Sequence, residues 1–368
     1  MTRQRKKNLP KRLQKKGKYT EAKFFNKQAF DSLDIPENLK NVLAKSANFS
    51  LAIKTKSAYR TAVNMLVKCQ EETKENLSFP LSESKVLVFV AWGIKRGYKD
   101  STLKSYMAGL KKAHIANNFQ PPNMSTPLIN SVLEGHSKKI NQKARNKKPK
   151  RLPCTLNTLR LIKQKLAKSQ LPNSEKVAFH ATCTTLFFGA IRAGEALTKS
   201  EKAYDPSMCI TNRDLKFVEK SKSEEKRSVE ITIKNSKTNK SKIPETIVIY
   251  ETGDHVCPVR ALQKLVDHNK NLPKDFPLFA SSDGRPITHQ RLNNMLNEFI
   301  NPHLPFGKLS GHSFRSGLIS IFAKAGYSND QLKQIGRWSS RAFKCYIKSG
   351  KTARHQMAVA CSSVNKLT

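Results

Sequence analysis

EKVAFHATCTTLFFGAIRAGEA, residues 175–196, is apolar almost all round when its first part, 175–190, is wound as a helix. A helix of that kind belongs inside a sizeable domain. It runs into Arg192, with Glu195 three residues further on. A guanidinium so close to a core needs an anion, and Glu195 supplies one. On these residues alone a structural Arg–Glu pair explains the segment.

Working outward, a shorter helix is expected near 156–169. Downstream, DLKFVEK (214–220), SVEITI (228–233) and TIVIY (246–250) read as strands, with Val229, Ile231 and Ile233 alternating. The basic turn KNSKTNKSK (234–242) joins the last two in a hairpin. Helices resume near 257–269, 288–300, 313–325, 329–335 and 340–348.

Upstream, residues 36–138 are helical in pattern. After Thr55, Tyr59, Ala62, Val63 and Leu66 share a face; after Ser84, Val86, Phe89, Val90 and Trp92 follow. A third helix is expected to start at the cap Ser101 and bury Leu103, Tyr106, Met107 and Leu110, leaving Lys104, Lys111 and Lys112 outside. A short helix with Leu128, Ile129 and Val132 comes after Pro121-Pro122. The expected fold class is mainly α with a small antiparallel β-sheet. Its divisions are a basic flexible tail (1–35), a helical domain (36–138), a basic linker (139–152) and a mixed α+β domain (153–368).

Charge bears directly on function. The chain has 368 residues, with 68 Lys+Arg against 27 Asp+Glu, a formal charge of +41. Such an excess draws polyanions, because each neutralised phosphate releases condensed counterions. A Lys-rich chain without a lipid-seeking segment points to nucleic acid rather than membrane. No run approaches the roughly eighteen apolar residues that span a bilayer. The N-terminal MTRQRKKNLPKRLQKKGK lacks the apolar core of a secretory signal. Its clusters Arg5–Lys7 and Lys11–Lys16 suit a nuclear import signal or an arm on DNA, and equally a solvated tail. The linker run KKINQKARNKKPKR (138–151) offers Arg145, Lys147, Lys148, Lys150 and Arg151 to phosphates. Seven scattered cysteines without CxxC spacing read as reduced intracellular thiols, neither disulfide framework nor zinc site.

Three further segments carry ionisable groups. In LSGHSFRSG (309–317), His312 and Arg315 lie three apart at a helix start and project from one face. They can present a proton acceptor and a planar five-donor fork to one phosphate. A capping histidine beside a surface arginine is the commoner meaning of HxxR. In IGRWSSRAFKCYIKSG (335–350), Tyr346 sits on the apolar side of a short helix behind Trp338. Both aromatics read first as core. The lysines of KNSKTNKSK read first as solvated charges.

The order of these segments shifts the balance. Arg192, a hairpin lysine, His312 with Arg315, Trp338 and then Tyr346 resemble the tyrosine recombinase/integrase family. FFGAIRAGE is similar to its first arginine box; GHSFRSG with GRWSSRAFKCYI is similar to its second. The resemblance covers 153–350 and extends more loosely over 36–138, which is similar to the family's SAM-like core-binding domain. The wording of KNSKTNK, CPVRAL and GRWSS is nearest to eukaryotic mobile-element recombinases of the Crypton and DIRS-like groups. One departure stands out: Tyr346 follows Trp338 by eight residues, where bacterial and phage members usually have nine.

The resemblance implies a chemistry. Tyr346 would attack a DNA phosphate, leaving a 3′-phosphotyrosine. A phenol, with a pKa of about 10, is a weak nucleophile and needs a neighbour to share its proton. By resemblance His312 is that general acid/base, and Arg192 and Arg315 clamp the non-bridging oxygens. Lys237 protonates the 5′ oxygen, with Lys240 or Lys234 as alternatives. Trp338 bonds a phosphate oxygen or packs under the tyrosine helix, and Glu195 holds Arg192. No cofactor and no metal are expected. The expected partner is double-stranded DNA, gripped by a homo-tetramer in the nucleus. Two other readings remain: a catalytically silent, transposon-derived DNA-binding protein, and a type IB topoisomerase-like nicking-closing enzyme.

Overall fold

The structure is a computed structural model and describes residues 25, 27–144, 150–202, 204–220, 226–236 and 243–338. These fall into two compact units, one ending at Lys148 and the other beginning at Pro149. No helix among the described residues is long and apolar enough to cross a membrane.

Among the described residues the first unit has five α-helices: α1 (Glu37–Phe49), α2 (Ile53–Thr73), α3 (Glu83–Lys95), α4 (Asp100–Ala116) and α5 (Pro127–Ala144). Val86, Phe89 and Val90 of α3 meet Leu66, Leu103, Met107, Leu110, Ile129 and Leu133 in one core. Buried His114 ties the loop before α3 to α4. Its Nε2 accepts from the Leu81 N–H at 2.9 Å, and its Nδ1 lies 2.8 Å from the Leu110 carbonyl.

Two helix starts differ from those expected. Ser82, rather than Ser84, caps α3 by accepting from the Lys85 N–H. Helix α4 begins one residue ahead of Ser101, without a side-chain cap. Tyr106 is only half-buried. Helix α5 runs on to Ala144, into the stretch expected as linker. Lysine and glutamine sustain a helix well, and no proline interrupts before Pro149.

The second unit opens with a two-residue strand, β1 (Lys150–Arg151), so the basic run ends inside a sheet. Then come α6 (Leu156–Lys168), α7 (Asn173–Phe188) and the single turn α8 (Ala193–Ala196). Strands β2 (Leu215–Val218), β3 (Ser228–Ile233) and β4 (Glu245–Tyr250) form an antiparallel sheet in that order. Val229 lies opposite both Phe217 and Ile249. Val229, Ile231 and Ile233 face the core, whereas Val248 and Tyr250 are exposed. Helices α9 (Pro258–His268) and α10 (His289–Met295) follow, α10 continuing as a π-helical turn over Leu296–Ile300. Strand β5 (Gly307–Lys308) pairs with β1 in parallel; α11 (Gly311–Lys324) and α12 (Asn329–Gly336) complete the described part.

Helix α7 is the buried axis the sequence predicts, packed against α9, α11 and α6. Its Phe179 and Phe187 are each almost fully buried. Each such ring contributes about 1.5–3 kcal/mol of burial. Helix α11 comes close to residue 154: the Cys154 N–H donates to the Ser313 carbonyl at 2.8 Å. A side chain at Gly317 would run into the Cys154 backbone. The last glycine of GHSFRSG is therefore a packing requirement.

Candidate active site

The site begins where α7 stops. Ala190 takes a left-handed φ of 46°, a conformation side chains adopt at some cost. This sharp turn brings Arg192 to the start of α8. Arg192 Nη1 donates to Glu195 Oε1 at 2.5 Å, and the Arg192 N–H donates to Oε2 at 3.2 Å. The Glu195 side chain is 3% exposed and that of Arg192 is 16%. Burial pushes the Glu195 carboxyl up, but Arg337 and Arg192 more than offset it and hold the group below the usual carboxylate range.

Helix α11 supplies the second pair. Its first turn separates His312 from Arg315 rather than presenting both on one open face: His312 is exposed, and Arg315 is buried at 1%. The cause is a demand for cation at two helix ends. Arg315 Nη1 donates to the Ala190 carbonyl at 2.8 Å, just past α7, and Nη2 donates to the Gly336 carbonyl that ends α12. Terminal carbonyls lack helical partners and carry the negative end of the dipole, so a guanidinium suits both. The ring of His312 is partly shielded. That shielding, and then the charges of Arg151, His289, Arg192 and Arg315, lower its pKa below the ordinary histidine value. At neutral pH the imidazole is a free base, as a proton acceptor must be.

The end of α12 closes the described site. Arg337 adopts a left-handed φ of 52° and sends a side chain only 6% exposed to Glu195, Nη2 to Oε2 at 2.8 Å. Trp338 is 8% exposed; its ring packs on Gly336 and lies 4.3 Å from the Arg315 guanidinium carbon. From the hairpin, Ser236 Oγ donates to Glu195 Oε1 at 2.9 Å.

Arg192 thus pairs with Glu195 and Arg315 with Trp338; Arg337, bonded to Glu195 and adjacent to Trp338, links the two pairs, and His312 feels both arginines. Lys237, Lys240 and Tyr346 lie outside the described residues. Lys234, one alternative to Lys237, pairs with Asp214 at 2.5 Å. Arg337 and Ser236 are site residues that sequence reasoning missed. The only local signal was an arginine wedged between the glycine and tryptophan of GRW. Among the described residues, no group of His, Cys, Asp and Glu is disposed to hold a metal ion.

The expected DNA-contacting residues divide. Lys104 and Lys111 are exposed on α4, Lys104 standing 3.8 Å from Asp100. Lys112 is half-buried, its ammonium 5.4 Å from the Phe25 ring centre. Lys150 and Arg151 form β1, and Arg151 is exposed and near enough to influence His312. Arg145, Lys147 and Lys148 lie outside the described residues.

The fold that carries these residues is found in known structures. The chain is similar to a XerH site-specific recombinase bound to palindromic difH substrate in a post-cleavage complex. The TM-score is 0.57 at 14% identity, covering 92% of this chain and 90% of that one. It is also similar to the Tn1549 transposon integrase in complex with transposon right end DNA, with a TM-score of 0.51 at 14% identity over 84% of this chain and 94% of that one. At that identity the likeness is one of fold, shared with those recombinases: a helical part and a mainly helical part that carries a small antiparallel sheet. No family model and no curated protein matches the chain.

Proposed function

We propose that this chain is a site-specific DNA recombinase that cuts and rejoins double-stranded DNA through a 3′-phosphotyrosine at Tyr346. The single observation that carries the reading is the Glu195 carboxylate. It gathers Arg192, the residue before Lys237 in the hairpin and the residue before Trp338. Segments far apart in the chain, each singled out by its chemistry, share one buried anion.

In this reading Tyr346 Oη attacks phosphorus and the bond to the 5′ oxygen breaks. His312 takes the phenolic proton, Lys237 protonates the departing oxygen, and Arg192 and Arg315 offset the added charge on the phosphoryl oxygens. Arg315 is backed by the Trp338 ring in this structure. Arginine charge takes the place of a metal ion. The phosphotyrosine keeps the bond energy, so the free 5′ hydroxyl can reverse the reaction without a nucleotide. The formal charge of +41 supplies the grip on DNA. The reading extends to a homo-tetramer acting in the nucleus, encoded by a eukaryotic mobile element of the Crypton or DIRS-like kind.

The test is covalent capture. The full chain is incubated with nicked duplexes of randomised core sequence, and protein–DNA adducts are separated under denaturing conditions and sequenced. Wild type is expected to form adducts and Tyr346→Phe none. Absence of wild-type adducts, with DNA still bound, leaves a binding protein. Relaxation of supercoils without strand exchange instead assigns a nicking-closing enzyme.

A further inference from the structure

We propose that Arg337 is a positioning residue of the cleavage site: its ion pair with Glu195 clamps the end of α12, and so the start of the segment leading to Tyr346, onto the Arg192 turn. This rests on the recombinase reading for its purpose, but the clamp itself is a structural claim.

Two considerations argue against an arginine at 337 for stability alone. The backbone there is left-handed at φ 52°, where glycine is the favoured helix terminator. The guanidinium is also buried, and removing a charge from water costs more than one partner usually returns. Arg337 Nη2 bonds Glu195 and Nη1 stands 3.6 Å from Glu245, yet Nε and Nη1 are buried without a hydrogen-bond acceptor. A residue kept under those conditions is explained by what it holds.

It holds both halves of the arginine pair. Glu195 Oε1 accepts from Arg192 and Ser236, and Oε2 accepts from Arg337 and from the Arg192 N–H. Displacing Arg337 frees one side of the carboxylate that orients Arg192. On either side of it, the Gly336 carbonyl and the Trp338 ring both engage Arg315. Three consecutive residues therefore fix both phosphate-directed arginines and the point from which the chain leaves for Tyr346.

The test uses full-length chain labelled with 5-fluorotryptophan, which has two tryptophans, Trp92 and Trp338, assigned through Trp92→Phe. Arg337→Gly removes the side chain while easing the backbone; Arg337→Lys retains a charge for Glu195. In Arg337→Gly the Trp338 fluorine resonance is expected to shift or broaden while that of Trp92 stays. Adduct formation on the randomised nicked duplexes falls about hundredfold, as for loss of a preorganised group, with affinity for the same duplexes unchanged. Arg337→Lys recovers part of the rate. The loss also deepens as pH falls, because Glu195 without Arg337 protonates more readily, with Arg192 its remaining charged partner.

An unmoved Trp338 resonance, or an adduct rate within threefold of wild type, overturns the proposal. Should wild type form no adduct, the recombinase reading fails and the fluorine spectrum alone decides the clamp. Should Arg337→Gly not fold, Arg337→Lys and Glu195→Gln carry the same comparison.

Discussion

Glu195 Oε2 accepts a hydrogen bond from Arg337 Nη2 at 2.8 Å across 142 residues of chain. Arg192 takes the other oxygen, so one carboxylate, 3% exposed, balances two guanidiniums. Glu195→Gln keeps the shape and removes the charge, leaving Arg192 without its anion and Arg337 with only the Glu245 carboxylate 3.6 Å away. The expected cost is about 3–5 kcal/mol of stability, read from urea midpoints at constant m-value. The carboxyl is held below its usual value of 4.5. Its contribution is therefore present above that value and lost only as pH falls through the lower, folded one. Wild type and Glu195→Gln should remain apart at pH 5 and converge in stronger acid; convergence already at pH 5 contradicts the depressed carboxyl.

In the proposed reaction the acid limb of cleavage is expected to follow His312. Shielding, then Arg151, the neighbouring His289, Arg192 and Arg315, lower its pKa from 6.5, so the neutral base persists as pH falls past that value. Adduct formation is expected to hold its rate through pH 6.5 and decline only at lower pH, as the ring protonates. Arg151→Gln removes one of those charges and moves the acid limb upward. A wild-type limb centred at or above 6.5 removes His312 from the part of general base.

The strands were legible in the sequence because Val229, Ile231 and Ile233 alternate, and α7 because it is apolar all round. Helix α1 lies in the stretch read as helical but was not singled out, and it buries little apolar surface: Leu39, Val42 and Leu43 are all exposed. Spacing placed His312 and Arg315 together but gave no information on which of them meets the core. The direction of Arg315 is decided by the carbonyls of Ala190 and Gly336, the first of them 125 residues away. Arg337 and Ser236 escaped for the same reason: each partners a residue remote in sequence, and no local pattern encodes that meeting.

Gly317 sets the seat of α11. A methyl group there would collide with the Cys154 carbonyl, and backbone cannot turn aside as a flexible side chain can. Gly317→Ala is expected to cost about 1–3 kcal/mol through overpacking and to lift the helix bearing His312 and Arg315. Thermal unfolding measures the first effect and adduct formation the second. Gly135, where a methyl group meets nothing within 4 Å, is the matched control, and Gly135→Ala in α5 should be neutral or slightly stabilising. Equal behaviour of the two variants would show that α11 tolerates displacement.

A separate acid sensitivity is built into the middle of α7. Burial, then the charges of Lys163, Lys264 and His255, lower the His180 pKa to about 4, and its Nε2 is buried without a hydrogen-bond partner. The folded chain keeps this imidazole neutral while the unfolded chain takes up a proton near pH 6.5. Between those values the unfolded state binds more protons, so stability rises with pH up to about 6.5 and is flat above it. Acidification from pH 7 to pH 4.5 should therefore cost wild type on the order of 2–3 kcal/mol more than His180→Leu, which has no proton to gain. Urea titrations at the two pH values measure the difference. If both proteins lose the same stability, the ring takes up its proton as readily in the fold as in the unfolded chain, and its pKa is not lowered.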